Sequence, residues 1–319
     1  MYDVVALGEL LIDFAAKHTD ENGYPTMAAN PGGAPANFLG ALNAYGKKTA
    51  FLGKIGEDTF GHLLLNTVKQ AGIETKGIVV DPKVFTTLAF VTFDETGDRA
   101  FSFARKPGAD TQLTWDEVDK SLIDSAKIFH FGTLSLTDEP VRTTTQTAVA
   151  YAREQGKLIT CDPNLRKPLW NSEEEARAQI LWSLGQADVV KISDDEVEFL
   201  WGCTPEEGAD RLLEECGVAL AMVTLGPKGC LLKTLNAIYR GVGPKVTPVD
   251  TTGAGDIFGG SAISRLLELD KPISRLTAED LAYIGRFAVT AASLSTERVG
   301  GIPSIPKREI VEKCMERSL

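Results

Sequence analysis

Asp250-Thr-Thr-Gly-Ala-Gly-Asp256-Ile-Phe-Gly-Gly260 is the stretch of this chain best suited to chemistry, and an apolar helical pattern over 262–269 follows it. A Gly-Ala-Gly turn entering a helix lets the backbone N–H groups of Gly253, Ala254 and Gly255 converge on an anion, where the helix macrodipole also favours negative charge. Such a nest suits a phosphoryl group in transfer. An aspartate directly after it would repel a phosphate that merely binds. The same carboxylate makes sense as a base that takes the proton of an attacking hydroxyl. The alternative is structural: Asp256 caps the helix and the glycines shape a tight turn. On the loop alone the two readings carry equal weight, because Gly-rich turns before helices are common.

Other strings invite the same comparison. Gly32 and Gly33 permit close backbone approach to a ligand, and Pro35 suits a first helical turn. Asn37 offers both donors and an acceptor to hydroxyl groups. Taken alone, Gly-Gly-x-Pro reads more often as a sharp helix entry. Asp162-Pro-Asn-Leu-Arg166 follows an apolar strand pattern at 158–161, at the carboxyl end where α/β sheets place ligands. There Asn164 can donate to a phosphate and Arg166 can grip its oxygens through the guanidinium fork, unless the string is a Pro-Asn turn with a solvated arginine. Ser193-Asp-Asp-Glu196 has the spacing of a capping box. The three histidines, His18, His62 and His130, show no metal or triad spacing. No Walker A string, no protein-kinase motif set and no GxGxxG after the first strand is present.

The elements that must hold these residues alternate. Apolar runs bounded by turns at 4–7, 50–52, 127–131, 158–161, 189–192 and 221–225 read as buried strands. Helical patterns at 34–45, 59–71 and 141–155 each end at a glycine, Gly46, Gly72 and Gly156. The alternation predicts one α/β domain over 1–319, doubly wound, with a mainly parallel sheet and helices on both faces. Residues 85–93 and 99–104 are β-rich and flank Asp94-Glu-Thr-Gly-Asp98, a hairpin-turn signal that does not belong in such a sheet. With residues 12–28 they predict a small β-sheet lid, its segments inserted at about 12–30 and 85–110.

Bulk composition narrows the partners. A formal charge of −11 in 319 residues opposes nonspecific binding to nucleic acid or an anionic membrane. Five cysteines lack CxxC spacing and fit a reducing compartment. The amino terminus enters a strand pattern without a basic leader, so the expectation is a cytoplasmic protein.

Asp250-Thr-Thr-Gly-Ala-Gly-Asp256 resembles the DTxGAGD signature of the PfkB, or ribokinase-like, sugar kinases. Gly32-Gly-Ala-Pro-Ala-Asn37, with Gly53-Lys-Ile-Gly-Glu-Asp58 and Gly61, resembles the other signature of that family. The resemblance runs from Asp3 to Pro306. It implies the ribokinase-like fold, ATP and Mg2+ as requirements, Asp256 as the catalytic base, and the amides of Gly253, Ala254 and Gly255 as the anion hole. By the same resemblance Asp13 in Gly8-Glu-Leu-Leu-Ile-Asp13 binds sugar hydroxyls, and the Asp162–Arg166 string lies at the active site. Arg105 resembles a lid arginine that contacts the sugar, with ordinary surface charge as the alternative. Glu196 fits a family glutamate that affects magnesium and phosphate, although Ser193 stands where ribokinases carry asparagine. Thr224, Gly226 and Gly229 resemble the turn beside the nucleotide, or else form only a hairpin. Asp250, Thr252, Gly300 and Ser304 resemble the segment around a monovalent cation, K+.

The resulting expectation is transfer of the ATP γ-phosphoryl group to a primary sugar hydroxyl. Asn-Pro-Gly-Gly-Ala-Pro-Ala-Asn, joined to the strings around Asp13 and Arg166, looks more like fructokinases than ribokinases or nucleoside kinases. The rivals are 2-keto-3-deoxygluconate, ribose or a nucleoside as acceptor, a noncatalytic sensor on the same fold, and a nucleotide-binding oxidoreductase. A homodimer through the lid is compatible with all of these.

Overall fold

The computed structural model describes residues 1–93 and 99–317. The chain opens with β1 (Tyr2–Leu7), β2 (Leu11–Thr19), β3 (Pro25–Gly32), α1 (Ala34–Ala44), β4 (Thr49–Gly56), α2 (Thr59–Gln70) and β5 (Ile78–Asp81). It continues through β6 (Thr87–Phe93), β7 (Arg99–Ala104), α3 (Lys120–Asp124), β8 (Ala126–Gly132), α4 (Val141–Glu154), β9 (Leu158–Asp162), α5 (Glu173–Leu184), β10 (Val189–Ser193), α6 (Asp194–Trp201) and α7 (Pro205–Glu214). It closes with β11 (Leu220–Thr224), β12 (Cys230–Lys233), β13 (Ile238–Gly241), α8 (Ala254–Leu269), α9 (Ala278–Ser295) and α10 (Arg308–Arg317).

The main sheet has the order β13-β12-β11-β10-β9-β8-β1-β4-β5. From β11 to β5 every pairing is parallel, and β12 and β13 add an antiparallel edge. Period-two alternation divides the core between its faces. Val5 and Leu7 point into a cluster with Phe129, Phe131, Val190 and Ile192, whereas Val4 and Ala6 join Phe51, Ile128, Phe258 and Ile284 on the other side. Both faces are therefore covered, which is why these strands read as continuous apolar runs. Each such fully buried large apolar side chain contributes ~1.5–3 kcal/mol.

The expected lid is a four-stranded sheet of order β3-β2-β6-β7, in which β2 and β6 run parallel and join two antiparallel pairs. Phe14 on β2 stacks on Phe90 of β6 at 5.3 Å and meets Phe60 of α2 edge-on at 5.4 Å, which seats the small sheet on the main domain. The expected turn at Asp94–Asp98 lies outside the described residues.

Caps distinguish two helices from most of the rest. Asp58, Ser172, Ser193, Thr204 and Thr277 each accept backbone N–H bonds at the start of α2, α5, α6, α7 and α9. By contrast α1 and α8 begin on Gly33 (φ 119°) and Gly253 (φ 76°) without a side-chain cap. Backbone in that region is open to glycine and strained for other residues. Among the described residues no helix is long and apolar enough to cross a membrane. All five cysteines are free thiols.

Candidate active site

A cleft of about 1000 Å³ lies between the carboxyl edge of the parallel sheet and the lid. Its walls come from the loops after β1, β9, β10 and β11, the first turns of α1 and α8, and the lid strands. Parallel strands bring their carboxyl ends to one edge, so residues far apart in sequence meet there.

Asp256 stands in the first turn of α8, which starts at Ala254, eight residues before the apolar pattern suggested. Its carboxylate does not cap that helix; its Oδ2 accepts a hydrogen bond from Asn37 Nδ2 at 2.9 Å. The capping alternative is thereby corrected. Burial raises the Asp256 carboxyl pKa, opposed by the Asn37 bond and the charges of Lys191 and Arg166. Asn37 itself is buried, and its Oδ1 accepts from Ile302 N at 3.1 Å. Its amide is thus aligned on Asp256 and on the carboxyl-terminal loop, a positioning arrangement in addition to its place in the cleft wall.

Asp13 reaches the cleft from β2, and burial is the main cause that lifts its carboxyl to about 6, with Arg166 lowering and Asp250 raising it. Gly32 lies beneath that carboxylate: a Cβ there would stand 2.2 Å from Asp13 Oδ2. Gly33 lines the cleft and packs on the Glu9 carbonyl, which leaves no room for a side chain. The Asp162–Arg166 string makes a tight turn in which Asn164, at φ 47°, donates its N–H to Asp162 Oδ1 at 3.1 Å. Asn164 and Arg166 both face the cleft, and Arg166 is half-buried rather than solvated.

Glu196 occupies two roles through its two oxygens. Oε2 accepts from Ser193 N at 2.8 Å in the capping box, and Oε1 accepts from Leu165 N at 2.7 Å. It therefore straps the Asp162–Arg166 turn to the start of α6 while lining the cleft. Thr224 lines the cleft at the end of β11; Gly226 and Gly229 belong to the hairpin turn between β11 and β12 and lie outside its lining.

Asp250 ties two loops together. Its Oδ1 accepts from Thr252 N and Oγ1 at 2.9 and 2.7 Å, and its Oδ2 accepts from Gly300 N at 2.9 Å. These three residues line the cleft, whereas Ser304 is buried behind it and donates to the Gly301 carbonyl. Among the described residues no group of three His, Cys, Asp or Glu side chains is arranged to hold a metal.

Arg105 is neither surface charge nor part of the large cleft's lining. Its guanidinium is 3% exposed and pairs with Asp110 at 2.8 Å. It also donates to Thr137 Oγ1 at 2.6 Å and to the Leu134 carbonyl at 2.9 Å. The residue anchors the end of β7 to the loop after β8 and borders a smaller neighbouring cavity with Phe103 and Pro168.

Two residues with no expectation attached occupy the site. Lys191 Nζ, within β10, pairs with Asp162 Oδ2 at 3.0 Å, both being buried. A lysine inside the apolar run Val-Val-Lys-Ile was the available signal, since lysine is rarely buried without a partner. Glu9, after β1, is buried and accepts from Ala34 N at 2.8 Å at the start of α1. Together the cleft offers a carboxylate beside an anion-binding helix start, three cations (Arg166, Lys167 and Lys191), and polar groups for a hydroxylated ligand.

Comparison with known proteins agrees with that arrangement. Residues 1–308 match the pfkB family carbohydrate kinases. The chain is 41% identical to fructokinase-1 of Zea mays over 320 residues, covering 99% of this chain and 98% of the relative. Among solved structures, fructokinase of Xylella fastidiosa with bound ATP superposes with a TM-score of 0.90 at 28% identity, over 100% of this chain and 99% of that one. A fructokinase double mutant from Vibrio cholerae, bound to fructose, ADP and potassium, gives a TM-score of 0.86 at 30% identity, with 98% of each chain covered. The chain belongs to the pfkB family of carbohydrate kinases.

Proposed function

We propose that this pfkB carbohydrate kinase transfers the γ-phosphoryl group of ATP to a primary hydroxyl of fructose. The observation that carries the reading is Asp256 at the uncapped start of α8, held by Asn37 and facing a cleft roofed by the lid. The fructokinase relatives favour fructose over the other acceptors.

In this reading Asp256 takes the proton from the attacking hydroxyl as the bond to phosphorus forms. The Gly253, Ala254 and Gly255 amides face the charge that develops on the phosphoryl oxygens. Asp13 and the Gly33 backbone hold sugar hydroxyls, Asn164 and Arg166 contact phosphate oxygens, and Thr224 borders the nucleotide. The carboxylates of Asp195 and Glu196 on the cleft wall would hold a magnesium ion through its water shell, and that ion would supply charge neutralisation for the ATP phosphates. The loops joined by Asp250, Thr252 and Gly300 offer oxygens suited to a potassium ion. The lid excludes water that would otherwise compete as acceptor. A second copy pairing on the lid sheet is the dimer proposed, and sedimentation would detect it.

The test is ADP release over a panel of acceptors. Fructose should give the highest kcat/KM, ahead of ribose, glucose, adenosine and 2-keto-3-deoxygluconate, with roughly tenfold to hundredfold loss per misplaced hydroxyl. Another sugar ahead by ~10-fold or more overturns fructose alone. No ADP release with any acceptor overturns the kinase reading.

A further inference from the structure

Of the described cations on the cleft wall, the kinase reading leaves the buried one, Lys191, without a task. Lys191 sits in the middle of the central strand β10, 8% exposed, with its side chain on the cleft wall. Asp162 Oδ2 and Oδ1 take up part of its donor capacity, at 3.0 and 3.3 Å. The same ammonium faces the anion nest: a Cβ built on Gly255 would lie 2.9 Å from Nζ. Gly255 therefore leaves room for the lysine as well as exposing its own amide. Burying such a pair costs several kcal/mol per ion in desolvation, and apolar residues of similar volume often serve stability as well. A stability role alone does not account for a charged pair in this place.

We propose that Lys191 contacts the transferring phosphoryl group, with Asp162 as its positioning partner, so that the group lies between the ammonium and the Gly253–Gly255 amides. The inference rests on the kinase reading above. As the sugar oxygen bonds to the γ-phosphorus, the bond from that phosphorus to the β,γ-bridging oxygen breaks and its electron pair stays with ADP. The hydroxyl proton goes to Asp256. Lys191 neither gains nor loses a proton; its charge offsets negative charge on the equatorial oxygens, and Asp162 keeps the ammonium from collapsing onto Asp256.

Lys191→Met alone would strand a buried Asp162 carboxylate, so the informative variant is Lys191→Met combined with Asp162→Asn. Both sites are then neutral and of nearly unchanged volume. Calorimetric titration with the magnesium complexes of ADP and of a non-hydrolysable ATP analogue measures what the third phosphate adds. The double variant should lose roughly tenfold to hundredfold in affinity for the triphosphate while its ADP affinity stays within about threefold. With the acceptor that the wild type uses, kcat should fall further than the acceptor KM rises. A double variant that keeps the wild-type preference for triphosphate overturns the proposal and returns the pair to a structural role. Because the titration needs no sugar, a wrong acceptor assignment does not affect it. A wild-type chain that binds neither nucleotide overturns the kinase reading, and this inference with it.

Discussion

Replacing Glu9 by Gln should stabilise the folded chain at neutral pH and do so progressively less in acid. The carboxyl is buried in the cleft wall, and burial raises its pKa from the ordinary 4.5 to about 7 despite bonds from backbone amides and the nearby Arg105 charge. Above the ordinary value the unfolded chain gives up this proton, while the folded chain retains it until the pH approaches 7. Stability is therefore complete below pH 4.5 and is lost as the pH climbs to about 7, a difference of ~3 kcal/mol at ~1.4 kcal/mol per pH unit. Glutamine carries no charge in either state, and its Oε1 can still accept from Ala34 N. Urea unfolding of the wild type and Glu9→Gln at about pH 5 and about pH 8, at one ionic strength, isolates this group because the other titrations cancel in the difference. The stability gain of the variant should grow by up to ~3 kcal/mol between those pH values. A difference that does not change with pH would refute the reasoning.

Asp256→Asn should lower kcat by at least ~10² and leave nucleotide binding within a few fold, as checked by steady-state kinetics and calorimetry. Arg105→Met should cost ~3–5 kcal/mol in urea unfolding by stranding the buried Asp110 carboxylate. Unchanged stability with a raised sugar KM would instead place Arg105 on the sugar. Glu196→Gln should raise the magnesium concentration needed for half-maximal activity, and a superimposable magnesium titration would leave Glu196 with only its hydrogen bonds to Ser193 and Leu165.

What was legible in the sequence depends on the range of the interactions. The strand-helix alternation and the Gly-Ala-Gly turn are local, so apolar period and turn chemistry announce them. The true start of α8 was hidden because Gly259 and Gly260 look unfavourable in a helix. Tertiary packing overrides that preference: a Cβ on Gly260 would stand 2.3 Å from the Phe38 carbonyl, so the glycines let α1 and α8 approach. Arg105 reads as a polar residue after a hairpin, and only the meeting of β7, residue 110 and the loop after β8 shows that it is buried. Lys191 left a trace in its strand, but the carboxylate that pairs with it lies on the neighbouring strand. The antiparallel pair β12 and β13 was not anticipated: each strand has only four residues, so buried β12 gives too short an apolar run and largely exposed β13 gives none.

The Asn37 amide also decides when the enzyme can exist. Its two hydrogen bonds join residues 219 and 265 positions apart, so the base is oriented only after nearly the whole chain has come together. Closing loops of that length costs entropy before any contact compensates it, and contacts of such separation form late in folding. A nascent chain whose first strands have already paired still lacks the partner that aims its proton acceptor. Recovery of turnover after dilution from denaturant therefore reports the last docking event, the arrival of the carboxyl-terminal loop on α1, rather than collapse of the sheet.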